Sequence, residues 1–254
     1  MSHPWELYDH LIDQIPADVR VTSAVRNGQW CRVSSDEGGC GMAFNFPVES
    51  RPRQCLDEDL VGMPLRDAAA LARSWNFAEA GIGMAALNAW YANPDRALAS
   101  GFTPTLMNNF AHLFDPWAEN SRGKRVGIIG HFPFAPRALP HVGELLVFER
   151  SLRDGDYPDS AAEYLLPTCD IVFITGSAFV NKTAPRLLEL SRECPEVIVV
   201  GPSTPASTAL LEAGATSVLP FVCADGSVLE QGLGGSLLGG MYDAGYRVET
   251  HRPR

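Results

Sequence analysis

Five short apolar segments in the second half of the chain constrain its fold more than any other feature. They lie at residues 125–129, 145–148, 170–175, 197–200 and 217–219, and they are continuous rather than alternating. Continuous apolar strands are typical of sheets that are covered on both faces. Helical patterns lie between them, near residues 137–143, 159–166, 183–192 and 205–213. This alternation predicts a Rossmann-like α/β domain with a mainly parallel sheet.

The first half of the chain has a different pattern. An amphipathic helix is predicted at residues 5–14, and three β-rich runs follow at 19–25, 30–33 and 40–44. Helices are predicted from Pro64 and over 77–91, the second rich in alanine and glycine. These elements predict an α+β unit. The polar segment 115–124 precedes the first parallel-type strand, so we predict two domains, residues 1–120 and 121–254.

The composition of the chain limits the kinds of molecule that it is expected to bind. The 254 residues carry a formal net charge of −10, which is a poor match to nucleic acid or to an acidic membrane surface. The N-terminal residues lack a secretory pattern and no segment is long and apolar enough to span a membrane, so we expect a cytoplasmic protein. The expected partner is a small anionic ligand or a metal chelate, and homo-oligomerisation stays open.

Three loops that follow predicted strands are the first candidates for a ligand site, because open α/β sheets bind ligands at the carboxyl ends of their strands. They are residues 130–134, 175–183 and 201–205. The second and third combine hydroxyl groups, a glycine and free backbone amides, which together favour an anion. Ordinary helix capping by Ser177, Asn181, Thr183, Ser203 or Thr204 is the alternative explanation.

Gly130 and Glu149 suggest a nucleotide, since a glycine after the first strand and an acid at the end of the next are features of dinucleotide sites. The loop lacks the full glycine motif, however, and Pro133 and Pro136 remove amide donors. A nucleoside-like ligand held by Glu149 alone fits the sequence better. A local surface ion pair between Glu149 and Arg150 is the alternative.

His131 is the candidate catalytic and metal-binding residue, because an imidazole at a strand tip can ligate a metal or carry a proton. A structural hydrogen-bonding role is the alternative. A soft metal could also be bound by Cys31, Cys40, Cys223 and Asp225 if the fold brought them together. The cofactor is unknown, with a divalent metal ion as the candidate. Catalytic Ser/His/Asp, HExxH and Walker patterns are absent from the sequence.

Four motifs resemble the putative heavy-metal chelation family: SWNFAEAGIGMAALNA at 74–89, IGHFPF at 129–134, DIVFITGSAFVNKT at 170–183 and GPSTP at 201–205. The resemblance covers nearly the whole chain, from about residue 5 to 250. It implies an N-terminal domain similar to that of enolase, a Rossmann-like domain, and a site in a cleft between them. The barrel that carries enolase chemistry is not part of this architecture, so that activity is not expected.

The resemblance also implies which residues form the site. Glu79 joins His131 as a candidate catalytic residue, and the candidate ligand-binding residues are Asn88, Gly130, Pro133, Glu149, Thr175, Gly176, Ser177, Asn181, Thr183, Gly201, Ser203 and Thr204. For Glu79 and Asn88, hydrogen bonding between packed elements is the alternative role.

Two functions fit these residues. The first is a binding or chelation protein that holds a metal or metal chelate in the interdomain cleft through His131 and Glu79, with or without a cysteine thiolate. The second is an enzyme that acts on a small anionic or nucleoside-like metabolite, with His131 as acid or base and Glu149 on a hydroxyl-bearing group. A third, an interaction module with a vestigial cleft, also stays open. Whether there is turnover is not determined by the sequence.

Overall fold

The computed structural model describes residues 3–49, 51–105, 112–233 and 241–253. It is a mixed α/β structure with one small antiparallel sheet and one large, mainly parallel sheet. The fold class predicted from the sequence is therefore confirmed. None of the described helices is both long and apolar enough to span a bilayer.

The N-terminal half contains a three-stranded antiparallel sheet and four helices. The strands are β1 (Val21–Asn27), β2 (Trp30–Ser35) and β3 (Cys40–Phe44), in that spatial order. The helices are α1 (Glu6–Asp13), α2 (Leu65–Ala70), α3 (Phe77–Tyr91) and α4 (Pro94–Ala99). The small sheet followed by helices agrees with the sequence prediction. The finer likeness to the N-terminal domain of enolase stays a prediction.

Helix α3 lies at the centre of this half, with 13 of its 15 residues buried. Its glycines allow close packing: a Cβ at Gly81 would lie 2.9 Å from the carbonyl oxygen of Phe44, and one at Gly83 would lie 2.1 Å from the Ala72 nitrogen. The same holds on the facing strand, where Gly41 lies against the backbone of α3. The helix is therefore packed between the small sheet and the segment after α2.

The large sheet has eight strands in the order β4-β11-β10-β9-β8-β5-β6-β7. The strands are β4 (Thr103–Pro104), β5 (Arg125–Ile129), β6 (Glu144–Glu149), β7 (Tyr157–Pro158), β8 (Ile171–Thr175), β9 (Glu196–Gly201), β10 (Ser217–Cys223) and β11 (Gly245–His251). Strands β5 to β10 are parallel to one another, whereas β11 is antiparallel to both β10 and β4.

Short helices connect these strands. They are α5 (Ala135–Ala138), α6 (Ala162–Leu165), α7 (Ser177–Val180), α8 (Ala184–Leu190), α9 (Ala209–Glu212), α10 (Gly226–Leu233) and α11 (Met241–Ala244). Single 3-10 turns lie at Asp57–Leu60, Leu71–Arg73, Asp115–Trp117, Asp159–Ala161 and Leu166–Thr168. The helix predicted near 137–143 is wrong: α5 begins earlier and ends before Leu139, which precedes Pro140 and has non-helical backbone angles.

The two halves share one hydrophobic core. On β8, Val172 and Ile174 belong to the same buried cluster as α1 and α3, while Ile171 and Phe173 pack on the opposite face of the sheet. The buried Tyr8 hydroxyl donates to the carbonyl oxygen of Phe179 at 2.6 Å, which joins α1 to α7. The boundary near residue 120 stays a prediction; β4 and Asp115–Trp117, which precede it, already lie against the large sheet.

Candidate functional site

A cleft of about 720 Å³ lies at the carboxyl ends of β5, β6, β8 and β9. The chain runs from β5 to β6 on one side and returns to β8 on the other, so the cleft lies at a point where the strand order reverses. Such points are the usual ligand sites of open parallel sheets. The opposite wall comes from the small sheet and contains Trp30, Phe44 and Phe46. The cleft therefore lies between the two halves of the chain.

Ten of the residues predicted for the site line this cleft. They are Gly130, His131, Glu149, Thr175, Gly176, Ser177, Asn181, Thr183, Gly201 and Ser203. All three candidate loops thus contribute to one wall, as parallel strand ends require.

The first loop is held by Glu149. Its carboxylate accepts hydrogen bonds from the backbone N–H groups of His131 at 3.1 Å and Arg150 at 2.7 Å. The Arg150 guanidinium pairs with Asp159 instead, at 2.9 Å, so the alternative of a Glu149–Arg150 ion pair is not what the structure shows. A carboxylate offers about four lone-pair sites. Glu149 can therefore order the loop and still accept a hydroxyl group from a ligand.

Gly130 has a conformational role in this loop. Its φ is +95°, which favours glycine, and a Cβ there would lie 3.0 Å from the Cγ2 atom of Thr175. The glycine thus brings the first and second loops into contact at the floor of the cleft.

His131 is paired with an acid. Its Nδ1 atom lies 3.5 Å from the Oδ2 atom of Asp156, and the Asp156 side chain is only 4% exposed. The imidazole itself is 24% exposed and belongs to the cleft wall. A carboxylate close to one ring nitrogen orients the imidazole, as in sites of acid–base catalysis. The sequence analysis did not identify Asp156, because this residue lies further along the loop after β6 and not directly at the end of the strand.

The second loop contains two local hydrogen-bonded turns. The hydroxyl groups of Thr175 and Ser177 lie 3.2 Å apart, and Asn181 accepts hydrogen bonds from both the hydroxyl group (2.6 Å) and the N–H (3.1 Å) of Thr183. The Asn181 contacts form a local turn before α8, and neither α7 nor α8 has a side-chain capping hydrogen bond of the kind that the sequence left as an alternative. Thr175 and Ser177 present hydroxyl groups at the cleft.

Four predicted residues lie off the cleft wall, each for a structural reason. Pro133 is exposed on the surface of its loop, and Thr204 is buried behind Gly176, where a Cβ would lie 2.5 Å from the Thr204 hydroxyl oxygen. Asn88 donates to the carbonyl oxygens of Met42 at 2.9 Å and Pro202 at 3.4 Å, so it joins the two halves.

Glu79 is the fourth. Its carboxylate is buried and accepts the backbone N–H groups of Gln54 at 2.6 Å and Cys55 at 2.8 Å. Asn76 caps the same helix by accepting from the Glu79 N–H. Both Glu79 and Asn88 therefore make the hydrogen bonds between packed elements that the sequence analysis gave as their alternative role.

Lys182 is a residue that the sequence analysis missed. Among the described residues it is the non-glycine residue with a positive φ, +67°. Its ammonium group donates to the Val180 carbonyl oxygen at 2.8 Å and lies 5.3 Å from the centre of the Phe77 ring. Burial lowers its pKa to about 7, although the negative charge of Glu79 acts in the opposite direction. Strained backbone and a shifted pKa are common beside functional sites.

This pKa predicts a pH-dependent stability. Between about pH 7 and the ordinary value of 10.5, Lys182 is neutral when folded and protonated when unfolded, so the unfolded chain binds more protons and the free energy of unfolding rises with pH. Below pH 7 both states carry the proton and the full cost of burying the charge remains. We expect wild type to gain up to about 1.4 kcal/mol per pH unit relative to Lys182→Met.

Urea unfolding of both proteins from about pH 6 to about pH 10 measures this difference. Lys124→Met is the matched control, since the Lys124 ammonium donates to Asn120 at an exposed site. A stability difference between wild type and Lys182→Met that stays constant over the range would contradict a buried neutral amine.

The donor set of the cleft does not suit a bare metal ion. Among the described residues, no three His, Cys, Asp or Glu side chains are grouped as a metal would require. His131 and Asp156 supply two potential ligands, and a stable site for a divalent ion needs at least three. Of the other predicted metal ligands, Cys31 is buried against Gly81 of α3, and Asp225 is exposed and accepts from Ser227 and Val228.

Comparisons with known proteins agree with this architecture. Residues 112–249 match the family model DUF364 and residues 8–91 match DUF4213, both described as "putative heavy-metal chelation". A DUF364 protein of unknown function from Desulfitobacterium hafniense is 38% identical, with 98% of each chain covered and a TM-score of 0.87. Among curated proteins, none matches this sequence.

A second solved structure, of a DUF364 protein from Pyrococcus horikoshii, is 19% identical. It covers 98% of this chain and 99% of its own, with a TM-score of 0.77, and shows that the fold is shared. The family model and the Desulfitobacterium structure together support the resemblance found in the sequence. This chain belongs to the DUF364 family, whose model is described as putative heavy-metal chelation.

Proposed function

We propose that the cleft binds a small organic ligand that combines an aromatic or apolar body with hydroxyl and anionic groups. A nucleoside monophosphate has this chemistry, and an organic chelate that carries its own metal has it as well. The observation that carries the proposal is the division of the cleft into an aromatic wall, with Trp30, Phe44 and Phe46, and a polar wall at the strand ends. The volume of about 720 Å³ suits a ligand of this size.

Charge supports an anionic group on the ligand. Arg150, Arg153 and Arg186 line the cleft. Arg150 pairs with Asp159, and Arg186 pairs with Glu163 and Glu189. Arg153 has no side-chain ion pair within the part of the chain that the structure describes. Its guanidinium group is therefore available for a phosphate or carboxylate.

A second function, enzymatic turnover of the same ligand, is favoured by the pairing of His131 with Asp156. The imidazole can transfer a proton to or from a ligand atom in the cleft, and the buried carboxylate would orient the ring for that transfer. This pair gives the enzyme hypothesis a defined acid–base residue. The binding hypothesis needs no such residue, and the two can be separated by experiment.

The first test identifies what the protein carries. The protein is purified without a metal-affinity column and examined by native mass spectrometry together with elemental analysis. We expect a bound organic molecule that is released on denaturation, with or without a metal. Protein that releases no organic molecule, whether or not it carries a metal, would contradict the proposal for the cleft.

The second test uses AMP and adenosine as probes in calorimetric titrations. Trp30→Ala should weaken binding of both about tenfold or more, since stacking on an aromatic ring contributes roughly 1–3 kcal/mol. Arg153→Ala should weaken AMP alone. Trp75→Ala and Arg137→Ala, both away from the cleft lining, are the controls. Equal affinities for wild type and Trp30→Ala would exclude the aromatic wall as a ligand surface.

His131→Ala separates the functional from the structural role of the imidazole. We expect reduced AMP binding or loss of turnover with a nearly unchanged melting temperature, because a partly exposed loop side chain contributes little to the core. A structural role predicts the opposite result: unchanged binding and a melting temperature lowered by several degrees, from an unsatisfied group that costs about 1–3 kcal/mol. The exposed His141→Ala is the matched control.

A further inference from the structure

A pair of cysteines lies away from the cleft, at the contact between the two sheets. Cys40 begins β3 and Cys223 ends β10, so the two come from opposite halves of the chain. Their thiol groups are hydrogen-bonded to each other, and the residues are only 3% and 4% exposed. Neither residue takes part in the cleft that the proposed function uses.

The surroundings stabilise negative charge on this pair. The Cys40 sulfur is hydrogen-bonded by the side chains of Ser34 and Arg32, and the Cys223 sulfur by the backbone of Asp225. The Arg32 guanidinium group also brings a positive charge to the Cys40 side of the pair. Thiolates are the form that binds metals.

Two methionines belong to the same small buried cluster. Met42 lies two residues after Cys40 on β3, which places both on the same face of the strand, and Met241 begins α11. The remaining members, which include Phe221, Leu229 and Ala244, are apolar. The cluster thus combines two thiol groups and two thioethers in apolar surroundings, and all four sulfurs are soft donors.

One cysteine of the pair can be reached from solvent. A second cavity, of about 310 Å³, is lined by Cys40 together with Arg32, Ser34, Gly226 and Glu230. Gly226 keeps this side open at the sulfur, since a Cβ there would lie 3.1 Å from the Cys40 Cβ and 3.4 Å from its Sγ. A small ion or reagent therefore has a path to the Cys40 sulfur.

We propose that Cys40 and Cys223 form a binding site for a soft monovalent cation, Cu(I), held by the two sulfurs with Met42 and Met241 beside them. On binding, two S–H bonds are replaced by two S–Cu bonds and the two protons are released to solvent, with no change of oxidation state. Zinc is excluded as the intended ion, because it needs four ligands and the described residues group no third His, Cys, Asp or Glu with this pair. Soft sulfur ligands and low coordination suit Cu(I) instead.

A second cysteine pair provides a matched control. Cys169 and Cys194 are also buried and lie close enough for Cys194 to raise the pKa of Cys169, but each donates to a backbone carbonyl, at 3.5 Å to Leu165 and 3.4 Å to Leu166. Burial raises their pKa values to about 12 and about 11. Cys169 and Cys194 therefore match Cys40 and Cys223 in residue type and burial, but they lack surroundings that stabilise a negative charge.

The test is an anaerobic titration of reduced, full-length protein with Cu(I) against a coloured Cu(I) chelator. We expect wild type to retain one equivalent of Cu(I) with a thiolate-to-metal absorption band in the near ultraviolet. Cys40→Ser/Cys223→Ser should lose the band and at least about tenfold in affinity. Cys169→Ser/Cys194→Ser should keep both. A band that persists in the first variant, or that is lost equally in the second, would overturn the proposal.

A measurement on wild type covers the case in which the serine variants do not fold. Cu(I) should protect Cys40 and Cys223 from alkylation, mapped by mass spectrometry, while the partly exposed Cys55 reacts equally with and without the ion. Alkylation of Cys40 at the same rate in both samples would refute the site. The outcome is independent of AMP binding, so the failure of this proposal and that of the cleft are distinguishable.

Discussion

Gly41→Ala is expected to destabilise the fold by more than about 3 kcal/mol. A Cβ at this position of β3 would lie 2.1 Å from the Ala89 nitrogen, 2.2 Å from the Asn88 carbonyl carbon and 2.4 Å from the Ala85 carbonyl oxygen. These are backbone atoms of a buried helix, so the new methyl group cannot be accommodated by a rotamer change. The strand and α3 must separate, and the loss is measured by urea unfolding.

Gly28→Ala is the control for this substitution. Gly28 has a φ of +55° in the turn between β1 and β2, and nothing lies within 4 Å of a Cβ placed there. The stability loss expected for Gly28→Ala comes from the left-handed backbone conformation alone and is about 1–2 kcal/mol. If the two variants lose equal stability, the close approach of β3 to α3 contributes nothing and the packing described above is wrong.

Glu79→Ala is expected to cost about 3–5 kcal/mol, because it removes a buried charged acceptor. The N–H groups of Gln54 and Cys55 would lose their partner, and the amine of Lys182 would lose its neighbouring charge. Glu79→Gln keeps one acceptor oxygen and should lose markedly less. The measurement is again the free energy of unfolding in urea, at fixed pH.

The same variants test the catalytic role that the sequence analysis assigned to Glu79. A ligand-binding carboxylate would give the opposite pattern, in which Glu79→Ala folds with near wild-type stability and fails to bind AMP. The pattern we expect is a stability loss that follows the number of acceptor oxygens. Ligand affinity should then change only as far as the fold is lost.

The sheet was predictable because its signal is local. Strands β5, β8, β9 and β10 are buried on both faces over most of their length, so each is a continuous apolar run whatever its neighbours are. Strand β11 was missed because Gly245–His251 has a mixed burial pattern and its partners, β10 and β4, are fixed by tertiary structure. Helix α5 was misplaced because Pro140 disfavours helical backbone at Leu139, which ends the helix inside the predicted segment.

The candidate site likewise contains residues that the sequence could place and residues that it could not. Gly130, His131, Glu149 and Thr175 could be identified because the end of a parallel strand is enough to place a residue at the ligand edge. Glu79 could not be placed from α3 alone, since nearly every side of that helix is buried and its periodicity does not show which partner each face meets. The Cys40 and Cys223 pair depends on how the two sheets meet, which no spacing along the chain encodes.

The core shared by the two halves has a consequence for how this molecule unfolds. Helices α1 and α3 pack into the same buried cluster as β8, and Tyr8 is hydrogen-bonded to Phe179. Separating the two halves would therefore expose apolar surface on both of them. The chain should therefore behave as one cooperative unit, in which fluorescence and circular dichroism report a single transition.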